Sequence, residues 1–248
     1  MRKTEGPGPG ITISCMAVST RRRPWLLDFY GSAIGKKWVM ATTGIVGLVY
    51  VVFHMIGNWK VYLGAEEIND YAEWLREFPE PLFPAGTFLW LARFGLLVAL
   101  ILHVHAATVL TVTNWKARSV AYESPRDYLV ANYASRTMRW SGVIVLLFII
   151  YHLAHLSLGV AHPDFVRGDV YHNMVAGFQS WPVVIAYSAA MVALGFHLFH
   201  GAWSMFQSLG INHPTFNNWR RRFAALLAIV VVIGNISMPV LIVTGVVS

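Results

Sequence analysis

Apolar stretches long enough to cross a bilayer alternate along this chain with short polar connections. Five such runs extend from Lys37 to Asn58, Thr87 to Thr113, Met138 to Gly159, Trp181 to Gln207 and Phe223 to Val247. A hydrocarbon core of ~30 Å takes ~20 apolar helical residues, and each run meets that length. Hydrocarbon offers no partner to a bare peptide group, so each run is expected to be a helix. The pattern therefore predicts an all-α, polytopic membrane protein with five transmembrane helices.

The connections carry weaker signals. Between the first two runs, "GAEEINDYAEWLREF" spaces Ile68, Tyr71, Trp74, Leu75 and Phe78 as one face of a short amphipathic helix lying on the membrane surface. "PEPLFP" then turns the chain into the second span. The 114–137 connection is polar and basic. The segment "AHPDFVRGDVYHNMVAGFQSWP" is mixed and expected at the interface, and "GINHPTFNNWRRR" is short enough to make the last two spans antiparallel neighbours. No internal repeat or low-complexity region stands out. The chain divides into a flexible, basic N-terminal tail over 1–35 and a five-helix transmembrane domain over 36–248.

Composition agrees with this division. Of 248 residues 56% are hydrophobic and 12% charged, which excludes an ordinary soluble domain. The opening "MRKTEGPGPGITISCMAVSTRRRP" lacks the apolar core of a signal peptide. It holds Cys15, the single cysteine, so this chain alone forms neither an internal disulfide nor a thiolate-held cluster. A net charge of +7 suggests nucleic acid until the positions are read. With the N-terminus inside, cytoplasmic segments hold 15 of the 19 lysines and arginines. This is the positive-inside signature, and it predicts a cytoplasmic N-terminus and no nucleic-acid partner.

Against that background the histidines are conspicuous. His54 lies in the first run, His103 and His105 in the second, His152 and His155 in the third, and His197 and His200 in the fourth. Ionisable groups at membrane depth usually mark function. His54 lies 17 residues past Lys37 and His152 lies 14 past Met138, both in the outer half. The second and fourth spans run the other way, so His103 and His197, each 16 residues from its span's start, fall in the inner half. Two layers result, each with imidazoles from two nonadjacent spans. Paired imidazoles at one depth in a helix bundle suit bis-histidine ligation of haem iron. His54 would pair with His152, and His103 with His197, in a haem-binding bundle of the first four helices. Gly44, Gly47, Gly95, Gly142, Gly195 and Gly201 could give a porphyrin room, and equally suit ordinary helix packing. His105 points about 200° away from His103. His155 and His200 follow His152 and His197 by three residues on the same faces; they could bond propionates or quinone, or be the ligands themselves. His162, His172 and His213 fall in connections and are expected to be solvated.

At this point a resemblance becomes visible. "FHMIGNWKVYLG", "LARFGLLVALILHVHAA", "MRWSGVIVLLFIIYHLAH" and "GFHLFHGAWSMFQSLGIN" resemble the haem-bearing helices of the di-haem, cytochrome b558-type membrane-anchor subunit of bacterial succinate dehydrogenase and fumarate reductase, respiratory complex II. The likeness covers roughly residues 36–246. It implies His103, His152 and His197 as ligands beside His54, and two b haems. It implies a flavoprotein subunit and an iron–sulfur subunit at the cytoplasmic face of a bacterial membrane, with the succinate site on a partner chain. Electrons would pass from the iron–sulfur subunit to a quinone, menaquinone in the members resembled most. Arg136 and Arg139 are candidates for contacts to the inner haem's propionates, and serve equally as membrane-face anchors. Arg93 is the outer counterpart, and Trp59, Lys60 and Glu66 are candidates for the quinone. Rival expectations are the di-haem cytochrome of a formate dehydrogenase, nitrate reductase or hydrogenase, and a haem-free, histidine-lined transporter. The transporter lacks support from lysine, aspartate or glutamate deep in the spans.

Overall fold

The computed structural model describes residues 24–117, 131–211 and 213–248, the side chains of 131–136 excepted. The described residues form helices and connections, without a strand. Eight α-helices are present among the described residues: α1 (Trp25–Gly31), α2 (Ala33–Asn58), α3 (Ala65–Glu77), α4 (Thr87–Lys116), α5 (Ala131–His152), α6 (Val170–Gly177), α7 (Trp181–Ser208) and α8 (Asn217–Val243). Five helical segments among the described residues are long and apolar enough to cross a membrane, Ala33–Leu63, Thr87–Lys116, Thr137–Ser157, Trp181–Ser208 and Pro214–Val243. These correspond to the five runs of the sequence, and α3 is the expected amphipathic helix.

Local chemistry sets the boundaries. Ser32 breaks α1 from α2 and caps the second helix, its hydroxyl accepting from the Gly35 N–H at 2.9 Å. Gly35 is required there, because a Cβ would collide with the Phe29 carbonyl. α5 does not end as a plain α-helix: Leu153–Ser157 forms a wide π turn. The tail expected over 1–35 lies outside the described residues through residue 23; beyond it, α1 is helical.

Packing fixes which helices meet. α7 lies against α5, α8 and α2, and α2 also lies against α4. Gly195 lets α7 approach α8, since a Cβ there would press into Val232. Among the described residues neither α2 with α5 nor α4 with α7 is a closely packed pair. The bundle thus keeps space along both diagonals. Phe53, Leu91, Phe94, Leu147, Ile150, Ile185 and Ile233 are exposed along the long helices, as lipid-facing side chains should be. The best-packed core lies towards one end, where Val61, Ile68, Met174, Phe178, Tyr187, Met238 and Ile242 join α3, α6, α7 and α8. That end has a polar clasp. The Asn69 carboxamide oxygen of α3 accepts from the Val170 and Tyr171 N–H groups of α6, and its amide donates to Asp169.

Candidate functional site

The open diagonals carry the histidines. His54 of α2 and His152 of α5 face each other with ring centroids 5.8 Å apart at 86°. His103 of α4 and His197 of α7 lie 6.2 Å apart at 59°. The pairing expected from depth alone is therefore the spatial one. Two imidazoles on opposite faces of one metal ion, each bonded at about 2 Å, bring their ring centroids to about 6 Å. The residues present fit that arrangement.

The polar atoms support the fit. Nε2 of His54 is buried without a hydrogen-bond partner among the described residues. An orphaned buried nitrogen of this kind is costly unless something outside the chain accepts its lone pair or proton. His103 is oriented from behind: its Nδ1 lies 3.1 Å from the Met40 carbonyl and 3.2 Å from the Thr43 hydroxyl. Donation from Nδ1–H to that carbonyl leaves the Nε2 lone pair free, as metal-ligating histidines require. Nδ1 of His197, by contrast, is buried without a hydrogen-bond partner among the described residues. On the other pair, Nδ1 of His152 is 3.4 Å from the Tyr187 hydroxyl. Tyr50 stacks on His54, and Phe148 lies tilted against His152, each one turn earlier on its own helix.

The paired geometry exposes a repeat that the linear sequence hides. Met40, Thr43, Gly44, Tyr50 and His54 on α2 recur at the same spacing as Met138, Ser141, Gly142, Phe148 and His152 on α5. "VALILH" (98–103) on α4 recurs as "VALGFH" (192–197) on α7. The equivalence holds in contacts. A Cβ at Gly44 would stand 3.4 Å from His103 Cε1, and one at Gly142 would stand 3.4 Å from His197 Cε1. The Thr43 hydroxyl donates to the Met40 carbonyl at 3.3 Å, as Ser141 does to Met138 at 3.0 Å. Two helical hairpins of one design therefore face each other.

The remaining candidates separate. Gly47 and Gly95 border open space, Gly195 serves α7–α8 packing, and Gly201 touches Met138. His105 is held by the Tyr30 hydroxyl at 2.5 Å and is exposed, well off the His103 face. His155 leaves the His152 face, because the π turn carrying it adds a residue to the helical circuit. It is 1% exposed, stacks between Tyr151 and His162, and meets the Tyr187 hydroxyl at 2.9 Å through Nδ1. His200 lies edge-on to Trp203, with its Nδ1 and the Trp203 indole nitrogen both buried and unpartnered among the described residues. Contrary to expectation, His162 and His172 are only partly exposed. His162 Nε2 donates to the Asn173 carbonyl, and His172 sits within α6 beside Asp164.

Of the arginines, Arg93 is exposed over the Trp90 ring at 5.2 Å, and Arg139 lies over Trp115 at 5.3 Å. The Arg136 side chain lies outside the described residues. Trp59 donates its indole N–H to the Gly234 carbonyl at 3.0 Å, which ties α2 to α8. Lys60 pairs with Glu67 at 3.2 Å, and Glu66 is exposed in the first turn of α3. Tyr187 was invisible as a candidate in the sequence, where it is one aromatic among many in an apolar run. Only its position between His152 and His155 marks it.

No curated protein and no solved structure matches the chain significantly. The sequence model of the succinate dehydrogenase/fumarate reductase transmembrane subunit family matches residues 128–236, which hold α5 to most of α8. Over that stretch, which includes His152 and His197, this multi-pass helical chain is similar to the membrane subunits of those oxidoreductase complexes.

Proposed function

We propose that the chain is the membrane-anchor cytochrome b subunit of a succinate:quinone oxidoreductase, holding one b haem between His54 and His152 and a second between His103 and His197. The observation that carries this reading is the pair of crosswise imidazole contacts, 5.8 and 6.2 Å between centroids, on the two open diagonals of the bundle. Two bis-imidazole haems would supply one-electron transfer between an iron–sulfur partner and quinone.

The chain's own residues do the positioning. Met40 and Thr43 hold the His103 proton at Nδ1, so its lone pair faces the diagonal. Tyr187 accepts from His152 Nδ1–H and donates to His155 Nδ1, setting the His152 tautomer in the same sense. Gly44 and Gly142 leave the rings room to turn, while Tyr50 and Phe148 cover the other pair and exclude water. The flavoprotein and iron–sulfur subunits would dock at the basic end, which the charge pattern assigns to the cytoplasm. Quinone, menaquinone by resemblance, would bind near Trp59, Lys60 and Glu66 at the far end, and Arg93 and Arg139 would meet propionates. Formate dehydrogenase, nitrate reductase and hydrogenase cytochromes are the alternative, and the family match favours the succinate side. A pyridine haemochrome assay on the purified chain tests the proposal: two haems b per chain is the expected result, and none would overturn it.

A further inference from the structure

The three arginines that open α8 do not share one role. Arg220 is fully buried and donates to the Ile211 carbonyl and the Asn217 side chain, closing the α7–α8 turn. Arg221 and Arg222 are exposed and make no ion pair among the described residues. Together with Asn218 and Ala225 they form an i, i+3, i+4, i+7 stripe along α8. Phe199 of α7 completes the opposite wall of a groove of about 460 Å³. Phe199 points about 200° away from His197, so this groove opens on the outside of the bundle, away from the histidine pairs.

We infer that this groove binds an anionic phospholipid, its headgroup phosphate between Arg221 and Arg222 and an acyl chain along Phe199 and Ala225. The charge is complementary, because two unpaired guanidiniums converge where α8 enters its apolar run. The depth favours lipid over a protein partner. Phe199 is nine residues inside the end of α7 at Ser208, roughly 13 Å below it, where a subunit docking from water does not reach. Below the groove α8 continues outward-facing with Leu226, Ile229, Val230 and Ile233, all exposed, as a path for the chain of a lipid. Trp219, 57% exposed and stacked on Phe223, marks the headgroup level beside the arginines.

The test uses the full chain with whatever subunits co-purify. Bound lipid is measured by native mass spectrometry, and melting is followed with phosphatidylglycerol, phosphatidylcholine or inorganic phosphate added. Wild type should retain anionic lipid and be stabilised by phosphatidylglycerol alone. R221Q/R222Q should bind it about 30-fold more weakly. K37Q/K116Q, which removes equal charge from the same end, should behave as wild type. A225F, which fills the groove floor and keeps both charges, should also lose the lipid, and it serves if the double arginine variant fails to fold. Equal retention in all variants would overturn the inference. So would stabilisation by inorganic phosphate alone, or loss of partner subunits from R221Q/R222Q with its lipid kept.

Discussion

The histidine pair at the basic end and the pair at the opposite end are built on the same helical repeat but held by different chemistry. At the basic end the Met40 carbonyl and the Thr43 hydroxyl lie behind His103, and glycines stand against both rings. At the opposite end the support comes from side chains, Tyr187 beside His152 and the aromatic rings of Tyr50 and Phe148. A carbonyl survives substitution of its own side chain, whereas a phenol does not. The basic-end pair is therefore the more robust to mutation around it, and the opposite pair the more tunable.

Removing the facing histidines breaks the comparison most severely. His103→Ala or His197→Ala should abolish one haem, and His54→Ala or His152→Ala the other, each leaving about half the haemochrome absorbance. Loss of the same spectral component in all four variants would refute the pairing. Next in size is crowding the rings. Gly44→Val or Gly142→Val forces bulk against a ring that a Cβ alone would already touch at 3.4 Å, at a cost of roughly 1–3 kcal/mol. Haem occupancy at the basic end should fall about tenfold or more, with the other haem's spectrum unchanged.

A smaller effect sharpens the contrast in tuning. Tyr187→Phe removes the acceptor for His152 Nδ1–H and should make that imidazole a poorer electron donor. Redox titration should show one midpoint potential raised by at most about 40 mV, the equivalent of one ~1 kcal/mol hydrogen bond, without loss of haem. Met40→Leu, which keeps the carbonyl, should leave both potentials in place.

The smallest effect concerns the clasp near the opposite pair. The His172 N–H, and then the Asn69 amide, hold the Asp169 carboxyl below the usual aspartate range. Because the folded pKa is depressed, this contribution is present above the ordinary aspartate value and is lost as pH falls through the folded one. Asp169→Ala should cost about 1 kcal/mol as a lost helix cap, lowering the melting temperature by roughly 2–4 °C at neutral pH. The deficit relative to wild type should shrink in acid.

Much of this was legible in the chain itself. Apolar run lengths determine five crossing helices, because a bilayer leaves a peptide group no alternative partner. Residue counts along those runs also sorted four histidines into two layers, since a helix converts sequence distance into depth at a fixed rise. What folding in three dimensions decided is lateral: which helices touch and which stay apart. That choice depends on side-chain fit between helices, as where Gly195 admits Val232, and no single run records it. It separated His155 and His200 from the facing pairs, drew Tyr187 to His152, and brought Asn69 to the start of α6 from a hundred residues away. The repeat relating α2 to α5 was written in the sequence all along, but scattered over an apolar background it became readable only once facing rings aligned it.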